Sequence, residues 1–136
     1  EHTKAELKPP FASLPAIPRG NGIVNYLIAT KKVGANAMHT GISELPVGIA
    51  APRHSHNSEE QVTILEGRVK ITLDGKEMVC ERFDSTFISP GVEHELINVG
   101  DSTAFVLVIY GSPNVTRTFA DTGKTVGIGS QGDRFE

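Results

Sequence analysis

Two histidines stand two residues apart in His54-Ser-His56, four positions ahead of Glu60. Side chains at i and i+2 of an extended segment project from one face, so the two imidazoles point the same way and can grip one ion. In the run Glu60-Gln-Val-Thr-Ile-Leu-Glu66, alternation puts Glu60 on the face of Val62 and Ile64, opposite Gln61, Thr63 and Leu65. A carboxylate on an apolar face costs on the order of several kcal/mol unless it is paired or bound to a cation. Metal ligation resolves that conflict and uses the neighbouring histidines. Glu59 would take the role after a one-residue slip, but the apolar alternation favours Glu60. His39 falls in a strand segment and reads as a core histidine, and His2 at the start of the chain as idle.

The segments around these residues read as short strands, at 23–30, 36–45, 60–66, 68–73, 76–80, 84–88, 94–99 and 103–110. Alternation is clearest in Arg68-Val-Lys-Ile-Thr-Leu73, which ends in Asp74-Gly75, a pair suited to a two-residue type I′ turn. Many short strands with turn signals between them point to an all-β sandwich or barrel. Ahead of them, residues 1–22 carry Pro9, Pro10, Pro15 and Pro18 and read as an extended N-terminal arm. Its Phe11, Leu14 and Ile17 are apolar enough to pack across its own barrel or a partner's. Residues 23–112 then form the barrel, and 113–136, rich in Gly and Thr with few groups to bury, a C-terminal extension. The run from Ala104 to Tyr110 is apolar on both faces, so its outer face needs a cover: the arm, or a second subunit in a homodimer.

Composition sets the outer limits. A chain of 136 residues holds one domain, and 38% apolar residues together with 14 glycines is a globular balance. A net charge of −3 offers no basic surface to phosphate backbones or anionic lipids, so neither nucleic acid nor a membrane is an expected partner. The single cysteine, Cys80, cannot form an intrachain disulfide or a Cys-based zinc site. Because the chain opens on Glu1 rather than Met, the lack of a signal peptide does not prove residence in the cytoplasm, the compartment nonetheless expected.

The segment from Gly48 through His54, His56 and Glu60 to Gly67 resembles the first signature motif of the cupin superfamily, G-x5-H-x-H-x3-E-x6-G, at every fixed position. From Phe83 to Asn98 the chain resembles the second, G-x5-P-x-G-x2-H-x3-N, through Gly91, His94 and Asn98. Phe83 stands where that motif has its first glycine, and Ser89 where it has proline. The resemblance implies a double-stranded β-helix, or jelly-roll barrel, with His54, His56, Glu60 and His94 binding one divalent metal per chain. Three imidazoles and a carboxylate suit Fe, Mn, Ni, Co or Zn, with ligand distances of about 2.0–2.3 Å. By alternation Glu93 and Glu95 point away from His94, and Asn98 is expected to order a turn. Asn114-Val-Thr116 matches a glycosylation sequon, read as accidental.

Four protein ligands leave two octahedral positions open, and a divalent ion with one carboxylate carries a formal positive charge that attracts an anionic bidentate small molecule. The expected activity is therefore that of a metal-dependent enzyme, first an oxygenase of the dioxygenase type, with isomerase or lyase chemistry and a non-catalytic binding or sensor module as alternatives. Glu60 is the expected catalytic residue. Val62, Ile64 and Leu96, sharing the faces of Glu60 and His94, are expected to wall the substrate cavity.

Overall fold

The computed structural model describes residues 10–135, so the first nine residues of the expected arm lie outside the described region. Twelve strands follow in chain order: β1 (Ala16–Gly20), β2 (Ile23–Leu27), β3 (His39–Leu45), β4 (Ala50–His56), β5 (Glu60–Glu66), β6 (Val69–Leu73), β7 (Lys76–Cys80), β8 (Ser85–Ile88), β9 (His94–Asn98), β10 (Ala104–Tyr110), β11 (Thr116–Phe119) and β12 (Thr125–Gly127). They form two antiparallel six-stranded sheets, in the orders β1-β2-β3-β10-β5-β8 and β12-β11-β4-β9-β6-β7. The all-β reading holds, as does the hairpin at Asp74-Gly75, where both residues have positive φ and Leu73 pairs with Lys76.

Inward-facing residues of the two sheets meet in one core. Val62, Ile64, Val69, Ile71 and Ile88 are buried together in it. Val62 and Ile64 therefore do not wall the cavity, as alternation alone suggests, because facing strands crowd the volume in front of them; Leu96 does line it. The motif glycine Gly67 adopts φ +96°, and a Cβ there would come within 2.9 Å of Ala104 Cα. Asn98 orders its turn as expected, donating from Nδ2 to the carbonyls of Leu45 and Ser102 and accepting from the Gly100 N–H at Oδ1.

The turn before β8 keeps the geometry of a glycine although the residue is Phe83, whose φ is 75°. The Phe83 N–H donates to the Ile64 carbonyl at 2.7 Å while the ring is exposed to solvent beneath the Arg82 guanidinium. A left-handed conformation costs a non-glycine residue roughly 1–2 kcal/mol. Phe83→Gly is thus expected to raise stability by about 1 kcal/mol after the entropy cost of glycine is set against that strain, measurable as a higher denaturant midpoint at unchanged slope.

The two ends of the chain are more integrated than their composition suggests. Pro18 does not prevent residues 16–20 from forming a strand, because β1 is an edge strand and pairs only with β2. Phe11 packs on Tyr26, on the outer face of the same sheet, with ring centroids 4.6 Å apart. Residues beyond 113, expected to have few groups to bury, instead add β11 beside β4 and bury Val115, Arg117, Asp133 and Phe135. Composition misleads here because the buried groups are chiefly charged residues and one aromatic, scattered among glycines.

Candidate metal centre

Three strands bring the expected residues together. His54 and His56 come from the end of β4, His94 from the start of β9, and Glu60 from the first position of β5 in the opposite sheet. His54 pairs directly with His94 across the β4–β9 ladder, whose register shifts between Ala51 and His54. Pro52 lies in that irregularity and cannot donate to the ladder, and the bulge re-aims the residues after it. The ligand atoms of the three histidines lie within 4.8 Å of one another, and all three rings are buried. Glu60 is only 4% exposed, and its Oε1 lies 3.1 Å from His94 Nε2 and 3.4 Å from His56 Nε2.

The other face of each ring decides its tautomer. His54 Nδ1 meets the Pro52 carbonyl, His56 Nδ1 the Thr116 carbonyl at 3.0 Å, and His94 Nδ1 the Val92 carbonyl at 2.9 Å. A carbonyl only accepts, so each Nδ1 carries the proton and each Nε2 of a neutral ring presents a lone pair. Burial, with Arg117 and the neighbouring rings adding to it, pushes the His54 imidazolium well below its ordinary value. Burial likewise lowers His56 to about 4, against the opposing charge of Glu60. Burial would raise the Glu60 carboxyl, yet the neighbouring His94 and His56 rings and the charge of Arg117 hold it below its usual range. An ionised carboxylate oxygen thus faces imidazole lone pairs, and both Glu60 Oε1 and His94 Nε2 lack a hydrogen-bond partner among the described residues. Acceptor against acceptor in a buried site repels unless a cation lies between them. The three imidazoles could therefore hold a divalent ion, with the Glu60 carboxylate beside two of them.

Other residues sort themselves around this centre. Glu59 is exposed, which removes it as the alternative to Glu60. Glu93 is turned outward and lies 3.4 Å from Arg53, while Glu95 is half-buried. His39 is half-buried and lines the cavity, its ring 5.9 Å from that of Tyr110, so it is a cavity residue rather than a core histidine.

Tyr110, Arg117, Arg19 and Asp133 are the functional candidates that sequence reading missed. Tyr110 pairs with Glu60 across β5 and β10, and its hydroxyl lies 3.4 Å from His56 Nε2. Burial and the charge of Glu60 raise its phenol well above the ordinary value despite Arg117, so the hydroxyl keeps its proton. Alternation along Val106, Val108 and Tyr110 is the signal that would have found it. The cavity extends from His54 and Glu60 past Leu96, Val106 and Val108 to Arg117 and Phe135.

Comparison with known proteins agrees with the geometry. A relative from Streptomyces glaucescens, "Tetracenomycin polyketide synthase protein TcmJ", is 29% identical over 90 residues, which cover 65% of this chain and 60% of that protein. "Polyketide synthase CurC" from Streptomyces cyaneus is 31% identical over 84 residues, 61% of this chain and 54% of its own length. The matches thus span less than two thirds of both curated relatives. The 1.2 Å structure of the polyketide cyclase RemF from Streptomyces resistomycificus superposes with a TM-score of 0.71 at 17% identity, covering 95% of this chain and 89% of that one. At that identity the likeness is one of fold. The cupin-domain model matches residues 41–110, just over half of the sequence, and runs from β3 through every candidate ligand to the end of β10: the chain belongs to the cupin family.

Proposed function

We propose that this chain is a metal-dependent enzyme that holds a small enolisable anion through two of its oxygens at the centre formed by His54, His56, Glu60 and His94. The observation that carries this reading is the buried Glu60 carboxylate set 3.1 Å from the His94 Nε2 lone pair, in a cavity that also contains a protonated phenol. Bound there, a divalent ion supplies Lewis-acid polarisation of a carbonyl oxygen. Tyr110 directs an O–H at charge that develops on the same side, and Glu60 is the carboxylate within reach of a substrate proton. The apolar wall of Leu96, Val106 and Val108 keeps water from competing for both groups. The names of TcmJ and CurC add support, because polyketide chains are rich in β-dicarbonyl units whose enolates chelate through two oxygens. On this reading the chemistry is proton transfer that leads to ring closure or isomerisation.

Oxygenase chemistry is the second reading, favoured by the two coordination positions that four protein ligands leave open. The two are separated by incubating metal-loaded protein with a panel of β-diketones, phenols and hydroxy acids while α-hydrogen exchange and O₂ consumption are followed together. Exchange without O₂ uptake supports proton chemistry, and uptake with a new product supports the oxygenase. Glu60→Gln is expected to cost orders of magnitude in either. Silence in both assays across the panel would leave a non-catalytic binding module.

We further propose that the protein is a homodimer and is neither a nucleic-acid nor a membrane binder. Phe105, Leu107 and Ile109 of β10 are only half-buried on the outer face. Light scattering at micromolar concentration is expected to give twice the mass of the 14.6 kDa chain, and the mass of a single chain would contradict the dimer.

A further inference from the structure

Beside the histidines, on the neighbouring strand, the cavity carries charge as well as apolar side chains. Arg117 is 4% exposed and pairs with His56 across β4 and β11, so the two side chains share the inner face of that sheet. Its Nη1 donates to Asp133 Oδ1, and Arg19 Nη2 lies 2.6 Å from Asp133 Oδ2, which also accepts the Gly129 N–H at 2.8 Å. Both oxygens of Asp133 are thus engaged, and one carboxylate serves two guanidinium groups. Among the described residues the Nε–H of Arg117 and that of Arg19 make no hydrogen bond, although both side chains are buried and line the cavity beside Tyr110. Phe135 covers the pair, its ring centroid 4.8 Å from the Arg117 guanidinium carbon and 6.0 Å from that of Arg19.

Asp133 sets one negative charge against the two of Arg19 and Arg117, so this part of the cavity keeps a net positive charge. A singly charged enolate engaged at the histidines would leave that charge unmatched in a low-dielectric cavity. A guanidinium with a spare buried donor is matched by a planar oxyanion. Resting on the function proposed above, we propose that Arg117, steadied by Asp133 and flanked by Arg19, is a specificity-determining anion arm. It takes a carboxylate of the substrate while two other oxygens of the same molecule engage the metal centre. The substrate class is accordingly an enolisable keto acid that binds as a dianion, rather than a neutral or singly charged diketone.

The test compares two probes that differ by one carboxylate, acetylacetone and acetylpyruvate, titrated calorimetrically into zinc-loaded protein. Wild type is expected to favour acetylpyruvate by about 10–100-fold, the scale of a hydrogen-bonded charge pair. In Arg117→Met with its zinc retained, the preference is expected to shrink by about tenfold or more, and in Arg117→Lys by less, since the charge and a partner for Asp133 remain. Arg117→Lys also decides the matter if the methionine variant does not fold. An unchanged preference in the variants, or an equal loss of both probes, would overturn the anion arm and leave the chelating centre standing. Failure of wild type to bind either probe would overturn the chelating centre and the arm with it.

Discussion

Asp133→Ala is expected to destabilise the fold by about 3–5 kcal/mol, more than any other single substitution in the C-terminal segment. The side chain is 0% exposed and holds Arg19 of β1 and Arg117 of β11, one from each sheet. Removing it leaves two buried guanidinium groups uncompensated and unties the tail that carries Phe135. The cost should appear in denaturant unfolding as a lower midpoint. The same carboxylate ties stability to pH. Burial raises its pKa, but the charge of Arg117 and the hydrogen bonds from Arg19 and the Gly129 N–H hold it below the ordinary 3.8. Such a group contributes fully above its unfolded value, and the contribution is lost as pH falls through the folded one. Wild type should therefore lose stability as pH drops below about 3.8, and Asp133→Asn should lose less over the same window.

His54→Ala is expected to abolish stoichiometric metal binding while the barrel stays folded. His54 is 3% exposed, sits between His56 and His94 with ring centroids 4.8 and 4.4 Å away, and is paired with His94 in the ladder. On the proposed ligand set its loss removes one of four ligands from a buried site, with no spare imidazole at that position among the described residues. The sheets survive because pairing of β4 with β9 and β11 runs through the backbone, and because Val62, Ile64, Val69 and Ile71 fill the core without the metal. Circular dichroism and elemental analysis of the same sample check both halves of the expectation. Loss of folding on chelation of wild type would contradict the division between core and centre.

The candidate ligand cluster could be read from the sequence because its signal is local. His54 and His56 share a face by strand geometry, and Glu60 is conspicuous as an acid in apolar alternation. His94 was reachable only through its resemblance to a known motif. The anion arm could not be read at all, since Arg19, Arg117 and Asp133 are each unremarkable in their own segments and meet only when β1, β11 and the tail close on one cavity. β4 was legible as the extended bearer of the two histidines, although Pro52 and small alanines kept it out of the strand segments. Val62 and Ile64 mark another limit: alternation says which face a residue takes, whereas the residues packed against that face decide whether it meets cavity or core. Phe83 shows the converse, a turn that persists without its glycine because its N–H still reaches the Ile64 carbonyl.

The most direct measurement is the metal content of wild-type protein purified without added metal, paired with X-ray absorption at the edge of whatever element is found. One equivalent per chain, with three imidazole nitrogens and a carboxylate oxygen at about 2.0–2.3 Å, is the expected result. Substoichiometric metal that cannot be raised by reconstitution, or a first shell without imidazole, would show that the His54, His56, Glu60 and His94 cluster is not a metal centre.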